Sequence, residues 1–401
     1  MATFNPSAVH NSSHPKKPLS SILPPLIFGT GTFNIQFNKD PYALNTKNLV
    51  YQTLDHGVRS FDTSPYYGPA EVLLGEGLNA PEVRERWKRE DYFILTKCGR
   101  IENETFDYSP TWIRQSVARS CERMHTDYLD VVYCHDVEFV GEDEVIGAVK
   151  ELRRIRDEEG RVRYVGISGY PLDVLCRLAE RIQKETADPL DIVQSYGNLT
   201  LQNTRLATEG VPRLKAAGVD VVTTASLLGL GLLRNEGLPE NALAWHPSPT
   251  GMREAVQRAA EFCKSYDEKL ETLAIRYAVE EWVVKGSEVG SLGDPSAGIE
   301  WKPGENVLND GKRLGVAVIG ASTIYELKHA LALWRSVLDG LDGGQDIATK
   351  AGRWKRSHEW SLNRRQATKM LAEAVQECIG EWMNYSWTSP PSGFANKPRA
   401  E

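Results

Sequence analysis

The 401-residue chain reads as a single closed (β/α)8 barrel, the TIM-barrel architecture, with an enlarged connection between its seventh and eighth strands and an extra C-terminal helix. Three observations lead there. Eight short apolar or β-branched runs recur between residues 26 and 322, stretches of helical periodicity alternate with them, and no G-x-G-x-x-G follows an early strand. Near-continuous apolar runs suit strands buried on both faces, as parallel strands are. Such strands alternating with helices form a parallel sheet, and eight units of that kind close on themselves. A doubly wound open sheet is the alternative, but its dinucleotide-binding version would carry the missing glycine fingerprint.

The eight runs are Leu26–Phe33, Ser60–Tyr67, Tyr92–Gly99, Tyr128–His135, Val162–Gly169, Asp191–Gly197, Asp220–Gly229 and Gly315–Ser322. Helical spacing of apolar residues predicts helices over Asn45–His56, Trp112–Met124, Glu142–Glu159, Leu172–Glu185 and Thr204–Ala217. Between the last two strands, Arg234–Leu314 holds a Pro-rich loop (Gly237–Thr250), helices at Met252–Lys264 and Leu270–Lys285, and a loop, Gly286–Lys312, rich in Gly, Ser, Asp and Pro. Beyond Gly340 the composition turns polar, with one more amphipathic helix at Arg364–Trp382. The tail from Ser389 reads as disordered. The expected layout is a disordered segment 1–19, the barrel over 20–340, and a helical extension and tail over 341–401.

Composition narrows the function. The apolar (41%) and charged (25%) fractions are those of a soluble globular protein. A net charge of −7 gives no strong attraction to nucleic acid or an anionic membrane. No stretch approaches the roughly 20 apolar residues that span a bilayer. The polar N-terminus lacks a signal-peptide core, and the six scattered cysteines form no C-x-x-C pair, so a cytoplasmic protein with reduced thiols is expected.

In βα barrels the chemistry sits where strands end. The second run ends in Asp62-Thr63-Ser64-Pro65-Tyr66-Tyr67, the third carries Lys97, and the fourth closes on His135. One mouth would therefore gather an Asp, a Tyr, a Lys and a His. A tyrosine, with an unperturbed pKa near 10, exchanges protons poorly at neutral pH. A nearby ammonium favours the phenolate, and a carboxylate keeps that ammonium charged. Tyr67 as acid–base, Lys97 as tuner, Asp62 as its anchor and His135 as orienter suit carbonyl–alcohol interconversion.

These residues resemble the aldo-keto reductase superfamily from about Ser20 to Trp334. The matching elements are Phe61–Gly68, Glu71, Leu74-Gly75, Thr96-Lys97, Thr126–Asp130 leading to His135, Gly166–Ser168 and Gly320–Ser322. The resemblance implies that Asp62, Tyr67, Lys97 and His135 are the catalytic tetrad and that NAD(P) is the cofactor. Tyr67 is preferred to Tyr66 because the family tyrosine directly precedes the glycine. Ser168 and Gln194 match positions that bond the nicotinamide carboxamide, although Gly169 stands where the family usually has Asn. Gly31, Thr32 and Phe33 match a backbone contact to the ribose. The run Ser226-Leu227-Leu228-Gly229-Leu230-Gly231 resembles the pyrophosphate loop, whose glycines let amides approach phosphate. After the eighth strand, Gly320, Ser322 and Glu326 occupy the stretch where NADP-preferring members carry a Lys or Arg. A carboxylate repels a 2′-phosphate and accepts a hydrogen bond from a 2′-hydroxyl, which implies NAD rather than NADP. His329-Ala330 replaces the family's adenine-binding Glu-Asn pair.

The continuation His135-Asp136-Val137-Glu138-Phe139-Val140 and the segment Gly237–Pro247 resemble the branch that oxidises free aldoses such as D-arabinose and L-galactose at C1. By that resemblance Trp112, Asp136, Trp245 and His246 are candidates for the sugar pocket, and no metal is needed. Two other functions are open: an NADPH-dependent aldehyde reductase, and a non-catalytic nucleotide-binding regulatory subunit. The identity of the sugar and the oligomeric state are left open.

Overall fold

The computed structural model describes residues 17–238, 240–243, 245–294, 313–341 and 352–397, with backbone only at 241 and 352–358. The expectations for residues 1–16, for most of the Gly286–Lys312 loop and for the last four residues lie outside these.

Eight parallel strands close a barrel in sequence order. They are β1 (Leu26–Gly29), β2 (Ser60–Asp62), β3 (Phe93–Cys98), β4 (Leu129–His135), β5 (Val162–Gly169), β6 (Ile192–Tyr196), β7 (Val221–Ala225) and β8 (Val316–Gly320). Successive side chains on a strand point to opposite faces. Leu95, Val131, Tyr133, Tyr164, Ile192, Val221 and Val316 therefore fill the interior, while Ile94, Val132, Val165, Val193 and Val222 face the helices. The same alternation carries Lys97, His135, Ser168 and Gln194 inward at the C-terminal rim. Gly166 makes room for Tyr133, because a Cβ there would sit 2.4 Å from the Ile192 carbonyl oxygen and 2.9 Å from the Tyr133 ring.

The lower end is plugged. Leu19 and Leu23 belong to the interior cluster, and Ser20 holds Asp220 through its amide (2.9 Å) and hydroxyl (2.5 Å). Leu19 is thus part of the barrel, which begins before the expected boundary at residue 20. The start of the Gly286–Lys312 loop also joins this plug, since the Ser291 hydroxyl donates to the Ser20 and Leu23 carbonyls.

The expected helices form as Thr46–Asp55, Pro110–Arg123, Glu142–Arg154, Leu172–Thr186, Val211–Ala216, Thr250–Ser265 and Leu270–Lys285. The third and fifth periodic stretches are completed by π-helical turns at Ile155–Glu159 and Leu206–Gly210. A further helix, Ala70–Leu78, escapes sequence reading because Gly75 and Gly77 weaken its helical signal. Gly75 is there for close packing: a Cβ would lie 2.1 Å from the Arg123 carbonyl oxygen.

The C-terminal helix runs from Gly352 to Ile379 and ends in a 3-10 turn, Gly380–Trp382, so it starts earlier than Arg364. Its Ala372, Val375 and Ile379 join Met252, Val256 and Ala259 of the insertion in a second core beside the barrel. The tail is not disordered through Lys397. It crosses the barrel mouth, where Trp387 stacks on Tyr170 and Phe394 packs against Phe106 and Phe139. Asn396 bonds the Phe106 backbone in both directions. Its polar, Pro- and Gly-containing composition hides these few aromatic anchors. No described helix is long and apolar enough to cross a membrane.

Candidate active site

A cleft of about 2010 Å³ opens at the C-terminal rim of the barrel and extends between the Leu270–Lys285 and Ile324–Asp339 helices. Ligand pockets of roughly 300–1,000 Å³ hold one drug-sized molecule, so this one has room for a dinucleotide and a second, smaller ligand.

Asp62, Tyr67, His135, Ser168 and Gln194 line it, and Lys97 lies buried beneath. The Lys97 ammonium donates to Asp62 Oδ1 (2.7 Å) and to the Thr63 carbonyl (2.9 Å), and sits 4.9 Å from the Tyr67 ring centre. Burial opposes its charge, yet Asp62 and Tyr67 together hold Lys97 above its ordinary range. Burial also pushes the Tyr67 phenol up, with Lys97 pulling the other way. Lys97 therefore limits the rise without reversing it, a difference from the sequence expectation that traces to desolvation. Burial pulls the His135 imidazole down to about 3, so the ring is neutral at physiological pH. Its Nδ1 faces Ser64 Oγ (3.1 Å) and its Nε2 faces Asp136 Oδ2 (3.5 Å). With the Ser64 hydroxyl at Nδ1 and an acceptor-only carboxylate near Nε2, the tautomer that suits the ring carries its proton on Nε2. The 3.5 Å to Asp136 is too long to engage that proton, which is left for a ligand.

On the neighbouring strands Ser168 and Gln194 are register partners. Ser168 Oγ and Gln194 Oε1 are both buried without a hydrogen-bond partner. Two such orphans, side by side at a cleft, call for a ligand that supplies donors, and a primary carboxamide fits. Where the family usually has Asn, the Glu138 carboxylate takes up the space beside Gly169. A Cβ there would lie 2.6 Å from Glu138 Oε2, so a side chain at this position requires Glu138 to move.

Gly31, Thr32, Ser226, Leu227, Gly231, Gly320, Ser322 and Glu326 also line the cleft. The 226–231 loop is wound through left-handed conformations at Ser226, Gly229, Leu230 and Gly231. The Gly229 and Gly231 amides are spent on turns, donating to Ser226 and Leu228, so these two glycines shape the loop and offer no free donor. Arg234 follows on the cleft wall and has no ion pair among the described residues. Glu326 accepts the Ser322 amide (2.7 Å) while Thr323 caps the following helix. Its carboxylate is thereby fixed at the rim where no Lys or Arg stands between Gly320 and Glu326.

Other expected site residues lie elsewhere. Phe33 is fully buried against Phe28 in the outer core (6.2 Å between ring centres). Trp112 sits on the outer helix Pro110–Arg123 beside Arg119, away from the cleft. His246 is buried behind the loop, its Nε2 on the Gly229 carbonyl (2.9 Å) and its Nδ1 on Ser248 (2.8 Å). Gly229 itself does not reach the wall. Trp245 and Asp136 do. Glu71, part of the recognised pattern, is architectural, with its carboxylate accepting from Thr96, Ser120 and Arg123.

Several cleft residues were missed. Arg100 lies two positions past Cys98 and could have been found by extending β3. Tyr196, the last residue of β6, also lines the cleft, as do Tyr66 and Phe139, which the sequence motifs include without a site role. Trp387, Ser389 and Pro391 reach the wall from the tail, and nothing local in the sequence marks them. Among the described residues no cluster suits a metal ion, and all six cysteines are free thiols.

Comparison with known proteins supplies the lineage. Residues 25–342 match the aldo/keto reductase family. The chain belongs to that family. It is therefore an oxidoreductase, and its relatives narrow the group. D-arabinose 1-dehydrogenase of Saccharomyces cerevisiae is 42% identical over 267 residues, covering 66% of this chain and 78% of that protein. L-galactose dehydrogenase of Arabidopsis thaliana is 37% identical over 237 residues, 58% of this chain and 70% of its own. D-threo-aldose 1-dehydrogenase of a Pseudomonas species is 28% identical over 263 residues, 59% and 76% of the two chains.

Proposed function

We propose that this aldo-keto reductase oxidises the C1 hydroxyl of a free aldose to the lactone with NAD⁺, Tyr67 being the proton acceptor. The observation that carries it is the meeting, at one point of the cleft, of Tyr67, neutral His135 and the Lys97–Asp62 pair with the orphaned oxygens of Ser168 and Gln194. The names of three relatives that are aldose dehydrogenases support the substrate class.

The residues present fit a nicotinamide dinucleotide. Ser168 and Gln194 would hold the carboxamide, and the 226–231 loop with Arg234 would face the pyrophosphate. Glu326, in a stretch without a cation, would accept a free 2′-hydroxyl and repel a 2′-phosphate. When bound, NAD⁺ supplies the acceptor for the hydride that leaves C1. The chain supplies the rest. His135 Nε2–H donates to the C1 oxygen and aims it at Tyr67. Tyr67 Oη takes the hydroxyl proton, and the Lys97 charge, held by Asp62, stabilises the phenolate that reacts.

The test is reduction of NAD⁺ and of NADP⁺ against a panel of free aldoses that includes D-arabinose, L-fucose and L-galactose. Activity with NAD⁺ on one of these is expected. No turnover of any sugar, together with NADPH oxidation by simple aldehydes, would replace the reading with an aldehyde reductase.

A further inference from the structure

Asp136 stands immediately after His135 with a left-handed backbone (φ 55°, ψ 57°), a conformation that Asp and Asn tolerate better than most residues. Its side chain is buried, and it lines the cleft. One oxygen, Oδ2, is held by Arg100 and lies 3.5 Å from His135 Nε2. The other, Oδ1, is buried without a hydrogen-bond partner.

Arg100 has little freedom to do anything but hold that carboxylate. Its Nη1 binds Asp136, its Nη2 donates to Tyr66 Oη (3.0 Å), and its guanidinium lies 3.7 Å from the Tyr66 ring centre. The rings of Phe106 and Phe139 flank it at 5.4 Å. A buried ion pair contributes little net stability, and an acceptor left orphaned makes this one costlier still. Such an arrangement is explained when a ligand brings the missing donor.

Resting on the aldose reading above, the geometry points to Asp136 as the residue that reads the sugar's C2 hydroxyl, with Arg100 as the residue that positions it. The argument is one of adjacency. The C1 oxygen is to sit at His135 Nε2, and neighbouring hydroxyls of a sugar ring lie within hydrogen-bond distance of each other. The group next to the C1 oxygen therefore falls beside the side chain next to His135. A carboxylate only accepts, so it selects a hydroxyl at C2 and gains nothing from a CH₂. The expected substrates are aldoses with a free C2 hydroxyl, while 2-deoxy sugars and simple aliphatic alcohols are discriminated against.

The test compares kcat/KM for D-arabinose and its 2-deoxy analogue in the wild type and in Asp136→Asn, which keeps size and backbone tolerance while removing one acceptor. The wild type is expected to prefer D-arabinose by about 10- to 150-fold, the range of a hydrogen bond to a charged group. Asp136→Asn should narrow the preference by about that factor, over and above any loss the two sugars share through His135. Arg100→Met should also narrow the preference, and should add little in the Asp136→Asn background. Equal wild-type rates on the two sugars, or an equal loss on both in Asp136→Asn, would overturn the assignment while leaving the aldose dehydrogenase reading intact. A wild type that oxidises no aldose would overturn both.

Discussion

Trp387 lies flat on Tyr170, with ring centres 4.5 Å apart and planes within 2° of each other. Tyr170 follows β5 directly, while Trp387 is more than 200 residues away in sequence, so this stack fixes the tail across the cleft. The Ser386 hydroxyl adds a hydrogen bond to Tyr170 Oη (3.2 Å), and the edge of His246 meets the indole at 5.4 Å. Trp387→Ala should loosen the tail and raise the KM for sugar about tenfold, from an aromatic pair worth about 1 kcal/mol and the contacts that go with it. Affinity for NAD⁺, read by fluorescence titration, should change far less. An equal loss in both would assign Trp387 to the whole cleft rather than to its sugar end.

Replacement of Tyr67 by Phe should cost about 10²–10⁴ in kcat, the usual contribution of a positioned acid–base group. The circular dichroism spectrum and cofactor affinity should stay as in the wild type. An unchanged rate would end the proposed mechanism.

The pH profile of oxidation should carry the signature of a raised tyrosine. Burial holds Tyr67 above its ordinary range, and oxidation requires the phenolate. The rate should therefore rise with pH through neutrality and still be rising near 10. With His135 pulled down to about 3, no inflection belonging to a histidine is expected near 6.5. A plateau reached below pH 7 would contradict both assignments.

Glu138 makes stability fall with pH. Burial, with Asp136 nearby, pushes its carboxyl from 4.5 up to about 8, against hydrogen bonds from Ser389 Oγ (3.0 Å) and the Tyr170 amide (3.2 Å). An acid raised in the folded state contributes stability that is fully present below its unfolded pKa. That contribution is lost as pH climbs through the folded value, by at most about 1.4 kcal/mol per unit. Glu138→Gln should accordingly be more stable than the wild type above pH 8 and close to it near pH 5. Denaturant melts at the two pH values measure this, and a pH-independent difference would show that Glu138 is not the group responsible.

Cofactor choice should turn on Glu326. Its carboxylate is fixed by the Ser322 amide at the rim of the cleft. Glu326→Arg should lower the KM for NADP⁺ by about 10-fold or more, since a bidentate charge-assisted contact replaces a repulsion. Comparable kinetics with both cofactors in the wild type would place the discriminating group elsewhere.

Much of this was legible because the relevant signals are local. Period-two alternation along each strand sets which residues face inward, so the positions of Asp62, Lys97, His135, Ser168 and Gln194 follow from the runs that contain them. The motif reading was less able to separate chemistry from architecture. Glu71 belongs to the same recognised pattern as Tyr67, yet it ties Thr96 to the helix bearing Ser120 and Arg123. His246 and Phe33 look equally functional in sequence, but one supports a loop from behind and the other fills the outer core.

The sequence by itself determined the barrel, the order of its strands and the four polar residues at their ends, since each depends on spacing within one short segment. Only the tertiary structure decided that Arg100 grips Asp136 beside His135, that Glu138 fills the space next to Gly169, and that Trp387 and Ser389 close the cleft. Those facts depend on contacts between segments far apart in the chain, whose pairing is set by how the whole barrel packs and leaves no periodic trace in any one of them.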